Sequence, residues 1–161
     1  MTREDKDLLL QQDLCGRLPY GVKIETEYFT KAILVEIRKN ISYGACKDLL
    51  VTYDISGEET PYQSEQRSSI ISKIKPYLFP LSSMTEEQFV ELKVFADLTY
   101  EGNTLELVEW DNNYKTLEFW LEEIPSYHLI KVFDWLNKNH FDYRGLIERG
   151  LAINATNLEI Y

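Results

Sequence analysis

The densest group of chemically useful side chains in this 161-residue chain lies near its C-terminal end. His140, Asp142, Tyr143 and Arg144 fall within one short stretch, and His140 is one of 2 histidines. In a functional interpretation, these four residues line a small polar pocket or a contact patch. With Cys15, the His140 and Asp142 side chains would supply the nucleophile, base and orienting carboxylate of a catalytic triad.

The same residues also have structural explanations. His140 follows a predicted helix end, where the helix dipole favours a cation. Asp142 is a predicted cap of a further helical turn, and Arg144 pairs with Asp142 or with acids of another element. Tyr143 is predicted in the core together with Phe141. Because caps and anchors explain each residue singly, we favour the structural interpretation and keep the four residues only as a candidate binding patch.

Enzymatic, metal and cofactor chemistry is disfavoured by the spacing of the remaining groups. Nothing in the sequence brings Cys15 to His140, and buried structural thiols are the favoured interpretation of Cys15 and Cys46, with a disulfide between them left open. His128 and His140 are separated widely and no cysteine pair accompanies them, so no metal site is predicted. The 7 glycines form no phosphate-binding motif. We therefore predict a non-enzymatic protein without a metal or cofactor.

The charge of the chain restricts its partners. The formal net charge is -10, whereas a nucleic-acid binder or a protein that docks on an anionic membrane needs a basic face. No signal peptide precedes the first predicted helix, and no apolar run reaches transmembrane length, so we expect a cytoplasmic protein. The 11 tyrosines suit both a core and a contact surface, because each combines apolar area with a polar tip.

Hydrophobic periodicity predicts a helix and several strands in the N-terminal half. The helix is marked by leucines spaced by four and by a weak capping box at Thr2. Residues 62–74 fit either a short helix or a strand. The helix, three strands and an extended segment between two prolines are predicted at residues 3–17, 22–26, 29–38, 48–55 and 76–80.

In the C-terminal half, capping signals predict a helix that begins near Ser83 or Thr85. Two alternating runs at 104–110 and 114–121 predict a hairpin, with a helix over 114–123 as the rival interpretation. Another helix is predicted from Ser126 to about residue 139. A helical turn follows at 142–148 before Gly150, and the tail at 151–161 is expected along the surface. The apolar stripe of the helix at 126–139 is predicted from Leu129, Ile130, Phe133 and Leu136, widened by Val132 and Trp135.

Three blocks of the sequence carry a family resemblance. They are residues 14–23 (LCGRLPYGVK), 75–87 (KPYLFPLSSMTEE) and 134–147 (DWLNKNHFDYRGLI). In this order they resemble a group of small uncharacterised proteins encoded in gut Bacteroidales genomes and in the phages and mobile elements of those bacteria. The resemblance implies no activity, but it does imply a bacterial cytosol or a phage-infected cell and an accessory or host-takeover role.

Together these patterns predict a single α+β domain over residues 1–161, in which an antiparallel sheet of about four or five strands packs with about three helices. The leading functional hypothesis is a non-enzymatic accessory protein that acts by binding another protein. The alternatives are a small-molecule binder that sequesters a nucleotide signal, with Arg144 and His140 in its pocket, and a hydrolase of unrecognised type.

Overall fold

The computed structural model of this protein describes six segments of the chain in two compact units. The segments are residues 1–39, 49–55, 66–98, 104–110, 114–120 and 126–161. The first unit consists of residues 1–78 and 144–161, and the second of residues 79–143. A single domain over residues 1–161 stays a prediction.

Three α-helices and nine strands lie within the described segments. The helices are α1 (Arg3–Arg17), α2 (Glu86–Phe95) and α3 (Ser126–Lys138). The strands are β1 (Lys23–Glu25), β2 (Ala32–Lys39), β3 (Leu49–Asp54), β4 (Gln66–Ile70), β5 (Lys75–Pro80), β6 (Thr104–Trp110), β7 (Tyr114–Trp120), β8 (Phe141–Asp142) and β9 (Ile153–Asn154). The predicted α+β class is confirmed, although the mixed sheet of the described residues has seven strands rather than four or five.

Helix α1 begins with a reciprocal cap. Thr2 Oγ1 accepts a hydrogen bond from the Asp5 N–H at 3.1 Å, and the Thr2 N–H donates to Asp5 Oδ2 at 2.9 Å. Bonding to Thr2 lowers the pKa of the Asp5 carboxyl. After the helix, Gly21 adopts a φ of 64°, a left-handed conformation that glycine reaches without steric cost. The first helix therefore lies where the sequence predicts it.

The sheet of the first unit runs in the order β4-β3-β2-β1-β5, with every pair antiparallel. The ambiguous segment is resolved in favour of a strand over residues 66–70, because Ser69 pairs with Val51. Strand β9 adds to β5 in parallel, with Tyr77 opposite Ile153. Only Ile153 and Asn154 of the tail belong to this strand; residues 156–159 are exposed, as predicted for a surface segment, whereas Ala155 and Ile160 are buried. The sequence also predicts a turn at 40–47 and an exposed loop at 56–61, and both ranges lie outside the described residues.

One apolar core holds α1 against this sheet. Leu10 and Leu14 of the helix are buried together with residues of the strands and of the returning C-terminal segment. The buried members are Leu10, Leu14, Val22, Ile24, Ala32, Leu34, Val51, Tyr53, Ile55, Ile71, Ile74, Leu78, Leu146 and Ala152. Burial of each large aliphatic side chain contributes about 1.5–3 kcal/mol of transfer free energy, so this core is the main support of the first unit.

In the second unit, α2 is capped by Thr85. Its Oγ1 accepts from the Gln88 N–H at 3.2 Å, and Gln88 Oε1 accepts from the Thr85 N–H at 2.9 Å. Of the two predicted capping boxes, the structure uses the one at Thr85. Ser83 instead donates its hydroxyl to the Pro80 carbonyl at 2.7 Å within a 3₁₀ turn.

The second unit also contains a hairpin and a parallel pairing. β6 and β7 pair in antiparallel register from Thr104↔Trp120 to Trp110↔Tyr114, which confirms the hairpin over the rival helix. β8 pairs in parallel with the end of β5, with Phe79 opposite Phe141. The predicted helical turn at 142–148 is wrong, because Asp142 belongs to this strand and residues 146–150 form turns.

The inner face of α3 differs from the predicted stripe. Val132, Trp135 and Leu136 are buried, as is His128, whereas Ile130 is 68% exposed and Phe133 is 41% exposed. His128 takes an inward position because its ring Nδ1 donates to the Ala96 carbonyl at 2.6 Å, and this bond satisfies a carbonyl at the C-terminal end of α2. A polar residue therefore occupies the centre of the stripe, and the helix turns two predicted core residues outward.

We expect the substitution Thr85→Ala to destabilise the protein by about 1 kcal/mol, because the N–H of Gln88 loses its acceptor. The matched control Thr85→Ser keeps a capping hydroxyl and should unfold within a few tenths of a kcal/mol of the wild type. Urea unfolding measures both variants. Equal midpoints for all three proteins would show that the cap does not support α2.

Candidate functional site

His140 closes the C-terminal end of α3. It adopts a φ of 59°, the left-handed conformation usual at the residue behind a helix. Its N–H donates to the Asn137 carbonyl at 3.2 Å, and its carbonyl accepts from the Phe79 N–H at 2.9 Å. The residue is buried, with 7% of its surface exposed. The predicted placement of His140 just behind a helix end is confirmed.

Asp142 and Tyr143 continue from His140 within the second unit. Asp142 is buried in β8 opposite Pro80, so it is not the predicted cap of a helical turn. Tyr143 is half-buried: its ring packs on Phe133 with centroids 5.1 Å apart, and its hydroxyl donates to Asn137 Oδ1 at 3.1 Å. These contacts tie Tyr143 to α3 at the edge of the core, so the residue is half-buried and not in the core interior as predicted.

Arg144 belongs to the first unit, so the candidate patch of four residues is divided between the two units. Its Nε lies 3.7 Å from Asp13 Oδ1, and about a third of its side chain is exposed. Asp13 is an acid of another element, which is one of the two partners that the sequence predicts for Arg144. Ligand binding by the patch of His140, Asp142, Tyr143 and Arg144 stays a prediction.

The Asp13 carboxylate has a stronger partner within its own helix. Arg17, one turn later in α1, donates from Nε to Oδ2 at 2.7 Å and from a terminal nitrogen to Oδ1 at 2.9 Å. Both side chains are fully buried. Such a two-pronged bond between guanidinium and carboxylate is the strongest common form of ion pair. With Arg144, two arginines surround one buried acid and join α1 to the C-terminal segment of the same unit.

The sequence contains a signal for this cluster that motif analysis misses. Asp13 and Arg17 are four residues apart, which brings opposite charges together on a helix. They also lie on the same face as Leu10 and Leu14. An oppositely charged pair on the apolar stripe of a helix indicates a buried ion pair, because an unpaired charge is not tolerated there.

The last residue of the chain anchors the tail to the sheet. The Tyr161 hydroxyl donates to the Tyr77 carbonyl at 3.0 Å and accepts from the Lys23 N–H at 3.1 Å. Lys23 Nζ also donates to the Ile160 carbonyl, and Lys31 Nζ donates to the Glu159 carbonyl at 3.1 Å. Nearly half of Tyr161 is exposed, but burial of its hydroxyl raises the pKa of the phenol above its ordinary value.

Cys15 is a free thiol on the exposed side of α1. The expectation that it is buried is therefore wrong, because the inward face of this helix is defined by Leu10, Asp13, Leu14 and Arg17. Cys46 lies outside the described residues. Within the part of the chain that the structure describes, no group of three or more His, Cys, Asp or Glu side chains could hold a metal ion. Along the same segments, no helix combines the length and apolar character needed to cross a membrane.

The outer side of the two helices in the second unit exposes apolar side chains. On α3, Tyr127, Ile130 and Phe133 are 53%, 68% and 41% exposed. They follow one another at three-residue steps, so they share one side of the helix. We call these three residues the outer face of α3. On α2, Val90 and Val94 are 59% and 60% exposed and stand one turn apart.

Comparison with known proteins gives no relatives: no family model matches the chain, and neither does any curated protein or solved structure.

We expect Asp13→Ala to destabilise the protein by about 3–5 kcal/mol, because it leaves the buried Arg17 guanidinium without its carboxylate. The double variant Asp13→Leu/Arg17→Met replaces the ion pair by apolar groups and should lose far less. Urea unfolding of both variants measures the difference. A double variant that is as unstable as Asp13→Ala would contradict the expectation that the unpaired charge of Arg17 causes the destabilisation.

The raised pKa of Tyr161 predicts a loss of stability in alkaline solution. The folded state keeps the phenol proton where the unfolded chain has lost it, so the contribution is full below the free-tyrosine pKa of about 10 and falls as the pH rises above that value. The variant Tyr161→Phe should be less stable than the wild type at neutral pH, and the difference should shrink above about pH 10. Unfolding midpoints measured from pH 7 to 11 test this; a difference that is constant across the range would contradict it.

Proposed function

We propose that this chain is a non-enzymatic, cytoplasmic accessory protein that acts by binding another protein through the outer face of α3. One observation carries the proposal: Ile130 is 68% exposed on a helix whose opposite side buries Val132, Trp135 and Leu136. The outer side of a surface helix is ordinarily polar, whereas clustered apolar side chains mark an interaction site. On the exposed side of α3 such side chains stand beside the exposed Asp134 and Lys138, which is the composition of an interface with a polar rim.

The clustering of the exposed residues distinguishes this surface from ordinary surface residues. Single exposed apolar side chains occur on every protein, whereas groups of them mark interaction sites. Tyr127 and Phe133 add two aromatic rings to Ile130 on the same side of the helix. Aromatic side chains are enriched at the centres of protein interfaces, because they bury a large area with little loss of side-chain freedom.

Charge favours a basic protein partner. The chain has a formal net charge of -10. Exposed Glu86, Glu87 and Glu91 of α2 stand in the same helix as the exposed Val90 and Val94. Long-range attraction between an acidic protein and a partner with a positive contact surface accelerates their association. The same charge repels nucleic acid and anionic membranes, so we propose neither as a partner.

The resemblance of residues 14–23, 75–87 and 134–147 to small proteins of gut Bacteroidales and their phages and mobile elements stays a prediction. As a proposal it extends the binding function to an accessory or host-takeover role in such a cell. The binding site itself does not depend on this assignment, because it is argued from exposure and charge alone. The lysate of a gut Bacteroidales bacterium is nevertheless the natural source of partners for a test.

The test compares two substitutions that make the same change of polarity and charge at different places. Ile130→Glu alters the outer face of α3, whereas Leu158→Glu alters a 44% exposed leucine in the other unit. Wild-type protein and both variants are immobilised and exposed to the same lysate. We expect a protein that is retained by the wild type and by Leu158→Glu and is reduced at least roughly tenfold by Ile130→Glu, which corresponds to about 1.4 kcal/mol.

Thermal unfolding of the three proteins is the necessary control. Because both substituted residues are exposed, each variant should unfold within about 0.5 kcal/mol of the wild type. Retention of the same proteins by all three samples would contradict the proposed surface. Retention of nothing above the uncoupled resin, at high concentration of immobilised protein, would contradict the binding function.

A further inference from the structure

A basic cleft lies in the first unit, between the start of α1 and the beginning of β5. Its volume is about 340 Å³, within the roughly 300–1,000 Å³ usual for small-molecule sites. The lining residues come from four parts of the unit: α1, the 3₁₀ turn before β5, β5 itself and the turn at residue 150. They are Arg3, Lys6, Asp7, Leu10, Ser72, Ile74, Lys75, Gly150 and Leu151.

The charge of the cleft is opposite to that of the chain. Three lining residues are cationic (Arg3, Lys6 and Lys75) and one is acidic (Asp7), so three positive charges minus one negative charge leave +2. The whole chain carries -10. Asp7 is already paired, since Arg3 Nε lies 3.7 Å from its Oδ2. A concave surface with one sign of charge concentrates ions of the other sign, so the cleft favours an anion although the protein is acidic.

The floor of the cleft is aliphatic. Leu10 and Ile74 belong to the core and are each 2% exposed, and the half-buried Leu151 packs against that core. The residues that line the cleft include no aromatic ring, so a planar base would find no stacking partner there. Cationic side chains beside an aliphatic floor suit a molecule with one anionic group and an alkyl body, because the cations form charge-assisted hydrogen bonds with the anion while the alkyl body is removed from water.

The backbone around the cleft is held in place by hydrogen bonds. The Gly150 N–H donates to the Ile147 carbonyl at 3.0 Å, and the Leu151 N–H donates to the Leu146 carbonyl at 2.9 Å. Gly150 has a φ of 68°, a conformation that other residues rarely adopt. On the opposite side, the capping box of Thr2 fixes the start of α1. A cleft that is formed before the ligand arrives loses little ordering entropy on binding.

We propose that this cleft binds a small amphiphilic anion, in which a carboxylate or a phosphate monoester is attached to a short alkyl chain. Lys6 and Lys75 hold the anionic group, and the alkyl chain lies on the aliphatic floor, of which Leu151 is the most exposed residue. The site belongs to the first unit, and the outer face of α3 belongs to the second. The two proposals therefore fail or succeed independently.

Isothermal titration calorimetry of the full chain with four probes tests the proposal. Octanoate and octyl phosphate combine a charge with an alkyl body and distinguish the two anionic groups. Inorganic phosphate supplies the charge alone, and 1-octanol supplies the body alone. We expect saturable 1:1 binding of octanoate, of octyl phosphate or of both, at least about tenfold tighter than either single-feature probe, a factor that corresponds to about 1.4 kcal/mol.

Two variants locate the binding. Lys6→Gln combined with Lys75→Gln removes two cations of the cleft and should weaken binding of the probe by roughly tenfold or more, because its anionic group loses charge-assisted hydrogen bonds. The control is Lys73→Gln. Lys73 follows Ser72 in the sequence, but its side chain pairs with Glu27 at 3.0 Å. This control should leave the affinity for the probe unchanged.

Three outcomes would overturn the proposal. The first is that neither amphiphilic anion binds, and the second is that 1-octanol or inorganic phosphate binds as tightly as the amphiphilic anions. The third is that Lys73→Gln lowers the affinity as much as the Lys6→Gln/Lys75→Gln double variant does. Thermal unfolding of each variant accompanies the titrations, so that a loss of affinity is counted only for a folded protein.

Discussion

The rotation of α3 about its own axis is the constraint on which the proposed function depends. Two polar contacts on its inner side set that rotation: His128 donates to the Ala96 carbonyl, and Trp135 Nε1 donates to Glu91 Oε1 at 3.3 Å. The Trp135 ring also stacks on Phe141, with centroids 5.7 Å apart and planes 10° apart. With these groups fixed inward, the three-residue spacing directs Tyr127, Ile130 and Phe133 away from the core. The exposure of the apolar outer face therefore results from the hydrogen bonds and ring stacking that hold the inner face of α3 against the core.

The same kind of constraint shapes the first unit. An ion pair in the interior is stable only when its charges and hydrogen bonds are matched, so Asp13 and Arg17 require each other. Arg144 approaches the same carboxylate from the C-terminal segment, and Tyr161 holds the end of that segment between Lys23 and Tyr77. The terminal residues therefore complete the sheet and the core of this unit. Their return also brings Gly150 and Leu151 to the wall of the basic cleft, which no short stretch of the chain could form alone.

Local signals in the sequence predict much of this fold. The caps at Thr2 and Thr85, the hairpin of β6 and β7 and the extended segment around Pro76 depend on residues within a few positions of one another. The failures share a different cause. Ile130 fits the apolar period as well as Val132 does, and the choice between them is made by the contacts of His128 and Trp135 with residues that are distant in the sequence. Asp142 has the sequence context of a helix cap, but in the structure it lies in a strand opposite Pro80. The candidate patch predicted from the sequence lacks Asp13 for a related reason, because Asp13 is 131 positions away from its partner Arg144.

The most direct test of the central claim places a photo-crosslinking residue, p-benzoyl-phenylalanine, at position 130 and, in a second protein, at position 158. Both positions are exposed, so neither substitution should disturb the fold. After irradiation in a gut Bacteroidales host, the account predicts a discrete crosslinked product from position 130, with one protein as its main component, and no such product from position 158. The same products from both positions, or none from position 130, would contradict the assignment of the outer face of α3 as a binding surface.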